Sequence, residues 1–98
     1  MSSWKQLRFE ILHRDNRCCQ ICGKPNSGQV HHVLPRSQGG TNEFSNLMTL
    51  CGRCHMLVSP VPDWLLTKVW NITPSDISSE RQKAEKAIVQ IINNKKLE

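Results

Sequence analysis

Two C-x-x-C pairs, Cys19 with Cys22 in "CQIC" and Cys51 with Cys54 in "CGRC", constrain this chain more than any other feature. Two thiolates separated by a tight turn reach the same ion, and a second pair a few dozen residues on completes a tetrahedral set. Glycine follows the first pair at Gly23 and splits the second at Gly52, which suits such turns. The spacing therefore predicts a structural Zn2+ held by Cys19, Cys22, Cys51 and Cys54. The count of five leaves Cys18 over and argues against a disulfide framework of the secreted kind. The N-terminal run "MSSWKQLRFEILHRD" is charged and amphipathic with no apolar signal core, and no stretch is long enough to span a bilayer. A soluble, cytoplasmic protein with no membrane partner is expected. With 98 residues it reads as one domain, 1–98, small enough to need a staple beyond its apolar core.

The order of elements follows from pattern and punctuation. From Ser3 to about His13 the apolar residues Trp4, Leu7, Ile11 and Leu12 recur at helical spacing. Asp15 and Asn16 end that helix in a turn, and the first cysteine pair follows. "QVHHVL" is a short strand stopped by Pro35, and "PRSQGGTNEFSN" is a loop, long for so small a domain. "LMTL", residues 47–50, pairs back as a second strand, and "CGRCHMLVS" opens a short helix. Beyond about residue 60, "WLLTKVW" reads as a helix with Trp64 and Trp70 as core or interface anchors. A last helix, entered at Thr73 or Ser78, carries the stripe Ile77, Ala84, Ala87, Ile88, Ile91 and Ile92. That stripe packs on the rest of the chain or on a second copy, so monomer and homodimer both remain open.

With the cysteines assigned to zinc, the polar points left for chemistry are His31 and His32 on the first strand, Asn46 before the second, and His55 just past Cys54. Adjacent strand residues face opposite ways, so the two histidines of the doublet have different tasks. Imidazoles from a strand and a helix can hold a divalent cation with coordination positions left open, while a third histidine takes a proton from water near neutral pH. Alternation alone does not decide which of His31 and His32 joins His55. The formal charge of +5 and a pI near 9.2 favour a polyanion as partner. A cation and a base beside a phosphate suit phosphodiester cleavage.

The runs "RDNRCCQICG" and "VHHVLPRSQGGTNEFSNLMTLCGRCH" resemble the HNH endonucleases, the ββα-metal nucleases, in the subgroup with a four-cysteine zinc. The resemblance covers about Arg14 to Ser59 and rests on both cysteine pairs, the histidine doublet, Pro35, Gly39-Gly40 and the "NL" that precedes "LCGRCH". It implies an α+β fold: a small ββα-metal core at about 14–59, preceded by an N-terminal helix and followed by a C-terminal helical extension at about 60–98. It also implies roles. His32 corresponds to the general base, His31 and His55 to the ligands of a catalytic divalent metal, and Asn46 to the residue that braces the long loop and orients the base.

The family resemblance implies a metal-dependent endonuclease that nicks or cuts DNA, double-stranded by expectation. Its alternative is a zinc-stabilised nucleic-acid-binding module with little or no cleavage. At His31 many relatives carry aspartate. An imidazole there makes the site softer and poorer by one negative charge, which predicts Mn2+, Ni2+, Co2+ or Zn2+ in preference to Mg2+. Arg36, Arg53, Lys24, Arg14 and Arg17 surround the motif and are candidates for DNA phosphate contacts, Arg36 and Arg53 foremost, with solvated charge the plainer reading of any single one.

Overall fold

The computed structural model describes residues 3–96, with side chains described through residue 93; of the expected domain span 1–98, residues 1–2 and 97–98 lie outside the described residues. The elements are α1 (Trp4–Arg14), β1 (Gln29–His32), β2 (Leu47–Leu50), α2 (Gly52–Leu57), α3 (Asp63–Trp70) and α4 (Pro74–Lys96). Short 3-10 turns at Arg36–Gln38 and Phe44–Asn46 interrupt the loop between the strands. This is an α+β arrangement with an N-terminal helix, a two-stranded antiparallel sheet and C-terminal helices. The chain divides into two compact units, residues 1–52 and 53–98, with the division falling in the first turn of α2. Among the described residues no helix is long and apolar enough to cross a membrane.

The first unit is built on the β1–β2 hairpin. Its register pairs Gln29 with Leu50, Val30 with Thr49, His31 with Met48 and His32 with Leu47. Every residue of β2 is buried, so this strand is core on both of its faces. Helix α1 begins at an N-cap, where Ser3 Oγ accepts from the backbone N–H of Gln6. It buries Ile11 and Leu12 from its last turns against the hairpin, while Trp4 and Phe9 of the earlier turns stay exposed.

Where α1 ends, Arg14 and Asp15 fasten it to the hairpin. The Arg14 guanidinium meets the Asp15 carboxylate side by side, Nε to Oδ1 at 2.9 Å and Nη2 to Oδ2 at 3.0 Å. Asp15 Oδ2 accepts from Thr49 N at 2.9 Å, and Arg14 donates to the carbonyls of Phe44 and Leu47, each at 2.7 Å. Burial alone would raise the Asp15 carboxyl. The Arg14 side chain and the Thr49 amide outweigh it and hold the group below its ordinary 3.8.

The second unit gathers Leu57, Leu66, Ile72, Ile77 and Ala84 as its buried apolar residues, with α3 packed on α4. Arg81 of α4 donates to the carbonyls of Leu57, Ser59 and Val61 and reaches Asp63, so one guanidinium satisfies the chain as it leaves α2 and enters α3. Helix α4 starts at Pro74, directly after Thr73, whose hydroxyl donates to the Asp76 carboxylate at 2.7 Å. Of the two tryptophans expected as anchors, Trp70 is half-buried and donates from Nε1 to Met56 Sδ, whereas Trp64 lies on the surface.

Candidate functional site

The first cysteine pair sits in a knuckle closed by backbone bonds from Cys19 N to Lys24 O and from Gly23 N to Cys19 O, with Gly23 at φ +80°. A side chain at that left-handed position would be strained, which explains the glycine. The second pair straddles the start of α2: Cys51 ends the link from β2, and Cys54 lies one helical turn on. The four Sγ atoms of Cys19, Cys22, Cys51 and Cys54 lie within 4.8 Å of one another. Cys22 and Cys51 are 3.7 Å apart, close to the edge of about 3.8 Å that a tetrahedron with Zn–S bonds of about 2.3 Å requires.

The chemistry of the donors agrees with that geometry. None of the five cysteines is disulfide-bonded. Burial by itself would push the Cys19 thiol up, but the backbone amides of Cys22, Cys51 and Ile21 donate towards it and bring it from 9.0 down to about 7. Amides that favour a thiolate favour a metal ligand, because the thiolate is the binding form. The cluster is compatible with a structural zinc. Cys18 stands outside it, with its Sγ directed at the carbonyl of Asn16.

The hairpin places the histidine doublet on opposite faces. His32 turns to the side where α1 lies: its ring stacks on Trp4 with centroids 5.3 Å apart and planes 16° off parallel. His31, across from Met48, projects from the other face. Both are half-buried, and His32 Nε2 lies 2.9 Å from Asn42 Oδ1.

Asn46 closes the loop between the strands. Its Oδ1 accepts from Leu34 N at 2.8 Å, and its Nδ2 donates to Leu34 O at 3.1 Å and to Thr41 O at 2.8 Å. Its own carbonyl accepts from Val33 N, extending the hairpin pairing by one bond. Inside the loop the amides of Gln38 and Gly40 both donate to Pro35 O. A Cβ added at Gly40 would stand 1.8 Å from Leu34 O, so only glycine allows this approach.

His55 belongs to the second unit, on α2, where its carbonyl accepts from the Ser59 hydroxyl. Burial lowers the tendency of its imidazole to protonate. Arg36 is exposed at the start of the first 3-10 turn. Arg53 pairs with the Glu80 carboxylate at 3.3 Å, a partner that a phosphate would have to displace.

Three features of this region are not deducible from spacing: the stacking of Trp4 on His32, the contact of Asn42 with the same ring, and the use of Arg14 on protein carbonyls instead of solvent. The only advance signal for Asn42 is its place in the loop that follows the doublet.

Residues 19–59 match the family model described as HNH endonuclease. Among relatives, Anaredoxin of Nostoc sp. (strain PCC 7120) is 45% identical over 52 residues, which cover 52% of this chain and 68% of that protein. The CRISPR-associated endonuclease Cas9 of Corynebacterium diphtheriae is 34% identical over 59 residues, 56% of this chain and 5% of the relative. The Type IV methyl-directed restriction enzyme EcoKMcrA of Escherichia coli (strain K12) is 39% identical over 54 residues, 46% of this chain and 20% of the relative. The chain thus spans about two thirds of the Nostoc protein and a small part of the other two. No solved structure matches it.

Proposed function

The chain belongs to the HNH endonuclease family, and from that premise we propose that it is a metal-dependent endodeoxyribonuclease that nicks or cuts double-stranded DNA. His32 is the general base, taking a proton from the attacking water. His31 and His55 hold a divalent cation, whose chemistry when bound is to offset charge on the scissile phosphate and its leaving oxygen. Asn46 holds the loop that follows the strand carrying the base, and Cys19, Cys22, Cys51 and Cys54 hold a structural Zn2+ that fixes the frame. Arg36 and Arg53 contact DNA phosphates, Arg53 by exchanging its Glu80 partner. The protein acts in the cytoplasm as a single functional domain, alone or as a homodimer.

The observation that carries this reading is the closed loop of the hairpin. A half-buried asparagine spends three side-chain hydrogen bonds on fixing the loop that leaves the histidine doublet. The brace fixes the chain immediately after the doublet. Two of the relatives are named as an endonuclease and a restriction enzyme, which supports DNA as the substrate class. The imidazole donors of His31 and His55 suit a borderline ion, hence Mn2+, Ni2+, Co2+ or Zn2+ over Mg2+.

A second reading is a zinc-stabilised nucleic-acid-binding module with little or no cleavage. It is supported by the net charge of +5 together with the four-cysteine cluster, which suffice for a folded polyanion-binding module. Supercoiled plasmid incubated with the protein and Mn2+ separates the two. The nuclease yields nicked circles, abolished by EDTA, whereas a binding module retards the plasmid and leaves it supercoiled.

A further inference from the structure

We propose that Asn42 and Trp4 are positioning residues for His32: Asn42 keeps the imidazole proton on Nε2, so that Nδ1 is the atom that accepts the proton from water, and Trp4 holds the plane of the ring. The inference rests on the reading of His32 as general base and adds to it the atom used and the residues that select it.

The contact itself carries the tautomer. A side-chain amide oxygen has lone pairs and no hydrogen, so Asn42 Oδ1 can only accept. At 2.9 Å from that oxygen, His32 Nε2 is the donor. A neutral imidazole has one N–H, and with the proton on Nε2 the lone pair is on Nδ1. No other hydrogen bond of the His32 ring is found among the described residues, so Nδ1 is left for a water molecule. Without a fixed acceptor the ring would divide its population between two tautomers, one of which presents an N–H to the water and cannot act as base.

The loop explains why Asn42 is well placed to hold the proton. Its neighbour Thr41 is pinned through its carbonyl by Asn46 Nδ2 at 2.8 Å, and the Thr41 hydroxyl accepts from Glu43 N. Among the described residues Asn46 has no side-chain hydrogen bond to His32. It reaches the imidazole through Thr41 and Asn42, so the brace on the loop becomes a brace on the tautomer. The remaining freedom of the ring, rotation about its bond to Cβ, is restricted by Trp4, whose indole lies nearly parallel to it from α1.

In the reaction the oxygen of water bonds to phosphorus as its proton passes to Nδ1. The bond from phosphorus to the leaving oxygen breaks, and that oxygen takes a proton from solvent. The imidazolium formed still donates from Nε2 to Asn42, so the amide dipole stabilises the charge that the step creates.

The test is two-dimensional 1H–15N NMR of the full chain, which distinguishes a protonated from an unprotonated ring nitrogen, combined with steady-state cleavage. In the wild type, Nε2 should carry the proton and Nδ1 should not. Asn42→Ala should give mixed tautomers and lower kcat by about tenfold with KM unchanged, since part of a general-base contribution is lost while DNA contacts remain. Asn42→Asp, which keeps an acceptor oxygen, should restore the single tautomer. Trp4→Ala should lower kcat and Trp4→Phe recover it. A proton on Nδ1 in the wild type, or an Asn42→Ala variant with unchanged tautomer and kcat, overturns the proposal. If the wild type cuts no DNA, the nuclease reading fails, and the nitrogen shifts in wild type and Asn42→Ala still decide whether Asn42 sets the tautomer.

Discussion

Asn46 satisfies both backbone groups of Leu34, accepting from its N–H at 2.8 Å and donating to its carbonyl at 3.1 Å. Leu34 follows the strand that carries the histidine doublet, so this pair joins the end of β1 to the beginning of β2 across the loop. Asn46→Ala should cost about 0.5–1.5 kcal/mol, the range for a hydrogen bond whose partners water can reach. Urea unfolding measures the loss. Amide exchange should accelerate at Leu34, whose N–H loses its acceptor, and stay slow in the second unit. Uniform acceleration through the chain would show that the brace is not local.

Gly40 tests the same loop from its other side. A methyl group at this position meets Leu34 O at 1.8 Å and Pro35 O at 2.8 Å, both backbone atoms. Gly40→Ala must therefore move the loop, and plasmid nicking should fall while metal content is retained. Normal nicking by this variant would mean that the loop can reshape without consequence for the site.

Asp15 gives the fold an acid-sensitive tie. Burial opposes its ionisation, yet the Arg14 guanidinium and the Thr49 amide hold it below 3.8 in the folded state. A depressed carboxyl stabilises the fold fully above the unfolded value, and that contribution disappears as pH falls through the lower folded value. Urea titrations should show a constant stability gap between wild type and Asp15→Asn from neutral pH down to about 5, closing progressively below 3.8. A gap that widens on acidification would reverse the sign argued here.

Zinc removal should unfold the frame before it affects any single contact. Metal analysis is expected to find about one tightly held Zn2+ per chain. Cys54→Ser should lose it, and a destabilisation of about 3 kcal/mol would lower Tm by about 12–24 °C in a chain of this size. Cys18→Ser should retain both metal and Tm, because Cys18 is outside the cluster. Equal zinc loss in the two variants would contradict the assignment of the ligands.

The elements were readable because each follows from a local rule. Residues 47–50 form β2 at the limits that "LMTL" suggests, and the cysteine spacing fixes a cluster that joins distant segments. Side chains whose task lies on another element were not readable in this way. Trp4 falls on the apolar stripe of α1 by period, but it stands beyond the buried turns and spends its face on His32. Trp64 reads as a core or interface anchor, yet it is 64% exposed. Arg14 looks like solvated charge in sequence, and its guanidinium is consumed by Asp15 and two carbonyls. Periodicity names a face and leaves open what that face meets. Asn42 is one of several polar residues in a loop, and only the closure of that loop by Asn46 brings it to the ring.

The choice of metal tests His31. Cleavage with Mn2+, Co2+ or Ni2+ should exceed that with Mg2+, and His31→Asp should move the preference towards Mg2+ by supplying a hard, charged oxygen ligand. Preference for Mg2+ in the wild type, or an unaltered order in His31→Asp, would remove His31 from the metal.

The most direct measurement of the central claim is the rate of Mn2+-dependent nicking of supercoiled plasmid by the wild type beside His32→Ala. Loss of a general base is expected to slow the reaction by about 10²–10⁴-fold, with zinc content and thermal stability of the variant close to wild type. Nicking at equal rates by both proteins, or none by the zinc-loaded wild type, would contradict the account.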